Sequence, residues 1–210
     1  MANILKSYVE VKGNEEVIKL VDSLVDQVND SDEDAIVAFA KAFYDNVELS
    51  EDGRSVMNGW SYENLGAKWT QLYDVQGDGM FSIESAWYLP RQFFYRLYDL
   101  CFPIDNNVVI EVKYEDEGFD PVGALVIKTR KQDGDEGDEE EYYLSGCVWG
   151  EKTALEDPTA DMDFDDEDYD ETQMEFYETL AETQDNLLDK CLKLVESDGM
   201  SFDEWEDWVK

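Results

Sequence analysis

Apolar residues recur along this chain with two periods, and the switches between them mark its elements. From 3 to 11 apolar and polar positions alternate, with β-branched residues among them, which predicts a first strand. Gly13 and Asn14 break it. Val17, Leu20, Val21, Leu24, Val25 and Val28 then fall on one helical face, predicting an amphipathic helix over 15–29 with Asn14 as its N-cap. A second helix is predicted over about 33–45, opening under Ser31 and Asp32 and carrying Ile36, Val37, Phe39, Ala40 and Phe43. The stretch 46–59 reads as loop. Two strands follow, about 67–75 and 80–88, joined at Gln76-Gly77-Asp78-Gly79, where Asp-Gly is a hairpin signal.

Pro90 stands where the first helical residue is expected, and Phe93, Phe94, Leu97, Leu100 and Cys101 line one face of a helix over 90–101 that Pro103 stops. Strands are predicted at 108–115, 123–130 and 142–150, the last two separated by a charged loop over 132–140. Residues 151–171 read as an irregular acidic linker. Tyr177, Leu180, Ala181, Leu187, Leu188, Cys191, Leu194 and Val195 then keep helical spacing over about 172–197. Ser201 and Glu204 form a capping-box pattern ahead of a short last helix with Trp205, Trp208 and Val209.

The predicted organisation is an α+β domain over 1–150 with a helical insertion at about 30–60, the linker 151–171, and C-terminal helices over 172–210 packed on the domain or projecting from it. The first 115 residues run β-α-(α)-β-β-α-β, the order of a ferredoxin-like antiparallel sheet with its helices on one side, here extended by further strands.

Particular residues carry a resemblance as well. Gly66-Ala67-Lys68-Trp69, the run from Phe81 to Ala86-Trp87, the helix after Pro90, Phe102-Pro103 and Tyr114-Glu115-Asp116-Glu117-Gly118 resemble the YubB-like ferredoxin-like domain of plasmid and bacteriophage proteins. The opening Met-Ala-Asn is similar to that family's too. The resemblance covers roughly 1–130. It implies a ferredoxin-like fold and a mobile-element, phage-type origin, and it implies no chemistry. The chain departs from the pattern in the 30–60 insertion and in everything after 150.

Charge changes the picture most. Of 210 residues, 53 are acidic and 16 basic, giving a net charge of −37. Residues 1–130 carry 24 acids and 11 bases; residues 131–210 carry 29 acids and 5 bases. Such a chain repels nucleic acid and anionic membranes and favours basic surfaces. The densest stretch, 161–171, puts eight carboxylates in eleven residues: Asp161, Asp163, Asp165, Asp166, Glu167, Asp168, Asp170 and Glu171. Extended at about 3.3 Å per residue, that is one charge per about 4.5 Å, against about 3.4 Å for a nucleic-acid single strand and about 1.7 Å for a duplex. Glu175, Glu178, Glu182, Asp185 and Asp189 continue the acidity onto the following helix, with Phe164, Tyr169, Phe176 and Tyr177 interleaved. The competing reading of such a run is solvated charge without a partner.

Candidate chemistry is thin. With no histidine, the Ser-His and Cys-His pairs and the usual zinc ligand are absent. Cys101, Cys147 and Cys191 are odd in number and far apart, which suits reduced thiols in a cytoplasmic protein. Asp74, Gln76, Asp78 and Gly79 fit part of a calcium loop, but its twelfth position is Ser85 and its flanks read as strands, so a hairpin is favoured. Glu111, Glu115 and Glu117 near Tyr114 are the candidate catalytic carboxylates, and with no second motif beside them a structural role is favoured. Trp69, Trp87 and Trp149 read as core or half-buried strand residues.

The sequence thus predicts a non-enzymatic phage-type accessory protein with no metal, cofactor, membrane or direct nucleic-acid partner. It would bind a basic, nucleic-acid-binding host or defence protein through Asp161, Asp163, Asp165, Asp166, Glu167, Asp168, Asp170, Glu171, Glu175, Glu178 and Glu182. A virus-particle assembly protein and a divalent-cation module are the alternatives.

Overall fold

The computed structural model describes residues 3–44, 54–132, 142–160, 162–163, 168–202 and 204. Among them the chain forms α+β architecture with a seven-stranded antiparallel sheet and five helices. Strand β1 (Ile4–Lys12) is followed by helices α1 (Glu15–Asn29), α2 (Ala35–Phe43) and α3 (Arg54–Leu65). Strands β2 (Lys68–Gly77) and β3 (Met80–Ala86) form a hairpin, and helix α4 (Arg91–Cys101) leads into β4 (Val109–Asp116). Strands β5 (Val122–Gln132) and β6 (Tyr142–Thr153), helix α5 (Tyr169–Asp198) and the short β7 (Met200–Ser201) complete the chain.

The sheet order is β2-β3-β1-β4-β5-β6-β7. Strands β1 and β2 are joined across β3 through α1–α3, and β3 and β4 are joined across β1 through α4. Alternation decides what each face carries. Val9 pairs with both Phe81 and Val112, and these side chains, with Val11, Ile83 and Ile110, face α1 and α4. Helix α1 presents Val17, Val21, Val25 and Val28 to this core, and Asn14 Oδ1 accepts from Glu16 N–H and Val17 N–H at its start. The centre of the core is aromatic. Phe93 meets Phe39 and Phe43 edge-to-face at 5.3 and 4.9 Å, the arrangement ring quadrupoles favour.

Several expectations are corrected. The second helix starts at Ala35, not 33, because Asp34 is the cap: its Oδ1 accepts from Ile36 N–H. The predicted loop 46–59 overlaps α3, while 45–53 lie outside the described residues. Helix α3 contains Asn58 and Gly59, buries Ser61 and Leu65 one turn apart and packs Trp60 on the same core; the polar residues interrupt the helical period along it. Pro90 is the residue before α4, not its first. It sits at φ −77°, ψ 67°, inside a three-residue turn that Arg91 N–H closes onto Leu89 C=O. The expected hairpin turn is present: Asp78 and Gly79 both have positive φ, 54° and 78°.

The helices do not all lie on one side. Ala124, Val126 and Cys147 on the opposite face of the sheet pack against Leu188, Cys191 and Val195 of α5. These small residues let the helix sit close, and the Cys191 thiol donates to the Ala124 carbonyl at 3.6 Å. All three cysteines are buried and unpaired with one another, and burial pushes the Cys101 and Cys191 thiols up to about 12. At neutral pH both stay protonated and inert. The capping box is formed, with Glu204 Oε2 accepting from Ser201 N–H and Oγ; Trp205 and Trp208 of the predicted last helix lie outside the described residues, as does the predicted loop 132–140 except for Gln132, which ends β5.

Candidate acidic interface

Helix α5 carries five of the eleven sequence-predicted site residues, Asp170, Glu171, Glu175, Glu178 and Glu182. Phe176, Leu180, Gln184, Leu188, Cys191 and Val195 are buried on one side of it. At about 100° per residue, Glu171, Glu175, Glu178, Glu182, Asp185 and Asp189 fall on the other side, separated by 4, 3, 4, 3 and 4 residues. All six are exposed. They form one solvent-facing line about 27 Å long at about 1.5 Å rise per residue, with a carboxylate roughly every 5.4 Å.

The buried side fixes that line in place. Phe176 packs edge-to-face on Phe119 at 4.7 Å, so an aromatic of the acidic stretch anchors the helix. Tyr169 is buried as well, whereas Tyr177 is exposed. Gln184 Nε2 donates to Glu115 Oε2, while Tyr8 Oη donates to Glu115 Oε1 at 2.8 Å. Burial raises the Glu115 carboxyl above its usual range, and those two hydrogen bonds with nearby Lys6 only partly offset it. Glu111 shares its face, as strand alternation requires, and accepts from Lys12 Nζ at 2.7 Å. Each of these two carboxylates therefore has its own partner, and Lys113 lies between them on the strand.

Not every acid on α5 is idle. Asp185 pairs with Lys113, and Glu196 pairs with Lys128 at 2.5 Å. Lys190 Nζ meets Glu151 Oε2 at 2.8 Å. Hydrogen bonds from these lysines hold the Glu196 and Glu151 carboxyls below their usual range. Glu171, Glu175, Glu178, Glu182 and Asp189, by contrast, have no side-chain partner among the described residues.

Of the other predicted positions, Asp168 and Asp170 are exposed at the start of α5, and Asp163 is exposed before it. Asp161, Asp165, Asp166 and Glu167 lie outside the described residues. Among the described residues no group of three or more Asp, Glu or Cys is placed to hold a metal ion, and no helix is long and apolar enough to cross a membrane.

Sequence reasoning missed a second feature. Trp69 and Trp87 are about half exposed, with ring centroids 5.5 Å apart. Both have positive φ, 53° and 64°, a region bulky residues rarely adopt. A signal was available: Trp87 and Tyr88 are adjacent, and on a pleated strand adjacent side chains cannot both face one core. No family model matches the chain, and no curated protein or solved structure matches it at a significant level.

Proposed function

We propose that this protein is a non-enzymatic, phage-type accessory protein that binds a basic, nucleic-acid-binding host or defence protein in the host cytoplasm. The acidic line of α5 and the acid run that precedes it form the binding surface. One observation carries the reading: five carboxylates at helical spacing have no cationic partner among the described residues, on a face opposite the helix's buried side. Solvated charge needs no such register. A line of about 27 Å matches the rise of roughly eight base pairs at 3.4 Å each. Its charge density is below that of a single strand, so the partner is selected by where its cations sit. Steering by a net charge of −37 makes association fast and salt-sensitive.

We also read β1–β4, in the order β2-β3-β1-β4, as a ferredoxin-like unit of the YubB-like type, with β5–β7 and α5 added to it. The two crossovers through α1–α3 and α4 support this reading.

The test is retention of basic proteins from a bacterial lysate on the tagged full chain, beside a variant carrying Glu175→Gln, Glu178→Gln and Glu182→Gln. Wild type retains a nucleic-acid-binding protein that the triple variant loses. Equal retention by both removes α5 as the interface. Retention of particle components alone transfers the reading to virus assembly.

A further inference from the structure

At one end of the sheet the surface has the opposite character. Strand β3 ends in a turn centred on Trp87. Tyr88 N–H closes onto Ala86 C=O at 2.9 Å, Trp87 N–H reaches Asn3 C=O at 3.0 Å, and Ser85 Oγ donates to Tyr88 C=O at 2.8 Å. With φ at 64°, Trp87 is held in the strained sense of the three-residue turn. Trp69 is strained in the same sense, where the β2–β3 register slips between Lys68 and Gln71. Backbone strain of this kind concentrates at ligand sites. Here it projects two indoles, with Tyr62 and Tyr88 beside them, into solvent.

Two hollows meet at these rings. Tyr62 and Lys68 line the first with Trp87 and Tyr88. The second, about 640 Å³, runs from Trp87 and Tyr88 past Arg91 and Tyr114 to Trp149 and Lys152. That volume lies within the usual range for small-molecule sites. Lys68, Arg91 and Lys152 form no ion pair among the described residues, although the chain has more than three acids for every base. Glu151 is the carboxylate lining the second hollow, and it is already engaged by Lys190 and by Trp149 Nε1–H. The first turn of α4, which begins at Arg91, has neither a capping side chain nor an acidic residue.

We propose that this aromatic hollow binds a monomeric nucleotide, its base stacked on Trp87 or Tyr88 and its phosphate held among Arg91, Lys152 and Lys68. Exposed indoles stack any base. Lys68, whose Nζ lies 5.9 Å from the centroid of the Trp87 ring, and Arg91 and Lys152 form no ion pair among the described residues, so together they disfavour a cationic ligand and suit an anionic one. A lone aromatic ring would leave most of about 640 Å³ unfilled, and base, sugar and phosphate together fit within it. The ligand is short because the rest of the chain is acidic. At physiological salt the Debye length is about 8 Å, so one phosphate feels the local cations while each further phosphate of a polymer meets repulsion. None of the residues lining the two hollows belongs to the acidic line of α5.

The test is titration of the full chain with the four ribonucleoside monophosphates, adenosine, inorganic phosphate and a twelve-nucleotide single strand, followed by calorimetry and tryptophan fluorescence. At least one monophosphate binds saturably with Kd below about 1 mM, and adenosine and phosphate each bind at least about tenfold more weakly. Trp87→Gly, which suits the positive φ, and Arg91→Gln each weaken binding about tenfold with unchanged circular dichroism. Tyr88→Ala replaces Trp87→Gly if the latter does not fold. Glu175→Gln/Glu178→Gln/Glu182→Gln leaves nucleotide binding unchanged, so failure here and failure of the acidic interface are told apart. No saturation up to about 10 mM, equal binding of adenosine, tighter binding of the single strand, or full binding by both site variants overturns the proposal.

Discussion

Replacing Glu175, Glu178 and Glu182 together by Gln should make the protein more stable while removing its interface. On α5 these residues neighbour one another and Glu171 at spacings of three and four, so their replacement removes the like-charge pairs 171–175, 175–178 and 178–182. Each such pair destabilises a helix by about 0.2–0.5 kcal/mol, and three give roughly 0.6–1.5 kcal/mol. The 182–185 pair adds less, because Lys113 already offsets Asp185. Glu and Gln have nearly equal helix propensity, and none of the three lies in the first turn, where a carboxylate would favour the helix dipole. A gain of about 1 kcal/mol corresponds to about 2–4 °C in melting temperature for a chain of this size. Thermal unfolding followed by circular dichroism at about 0.01 M and 0.5 M salt reads it directly. The gain should be largest at low salt and shrink at high salt, where screening already does the work of the substitution. A variant equally or less stable at low salt would refute the reasoning, because the carboxylates would then be making attractive contacts within the chain.

Three further outcomes follow from single sites. In the fold the Glu115 carboxyl lies above its usual range because of burial, so its charged form opposes folding. Its penalty is present above the folded pKa and is relieved as pH falls through that value; Glu115→Gln should raise the melting temperature near pH 7.5 and flatten its rise toward pH 5. Ser7 Oγ is buried without a partner among the described residues, and Ser7→Ala should raise the denaturant midpoint by the equivalent of about 1 kcal/mol. A Cβ on Gly123 would stand 2.2 Å from Cζ of Tyr114, so Gly123→Ala should cost about 1–3 kcal/mol in the same assay.

Where local rules govern, the sequence was readable. The apolar alternation of β1, the valine face of α1 with its Asn14 cap, and the Asp78-Gly79 turn each follow from residues close together in the chain. Helix α3 was not readable, because Asn58, Gly59 and Ser61 interrupt its apolar positions, and beside Leu65 and Trp60 it is held by a Ser61 hydroxyl bonded to the Ala67 carbonyl at 2.6 Å. The position of α5 had a signal that was not used. Ala124-Leu125-Val126-Ile127 is apolar on both faces of its strand, and a strand apolar on both faces needs cover on both. The helical spacing of Glu171, Glu175, Glu178 and Glu182 made their shared face readable, but the absence of cationic partners there depends on where Lys113, Lys128 and Lys190 reach in three dimensions. The strained backbones of Trp69 and Trp87 are tertiary features with no local pattern to announce them.

The most direct test of the acidic interface is competition. Tagged full-length protein is used to retain a basic partner from bacterial lysate, and excess duplex DNA is then added at fixed moderate salt. If the line of carboxylates on α5 occupies a nucleic-acid site, DNA releases the partner, and the triple Gln variant retains none to release. A partner that stays bound in the presence of excess DNA, or that the variant retains equally well, would contradict the account and leave the acidity of α5 as solvated charge.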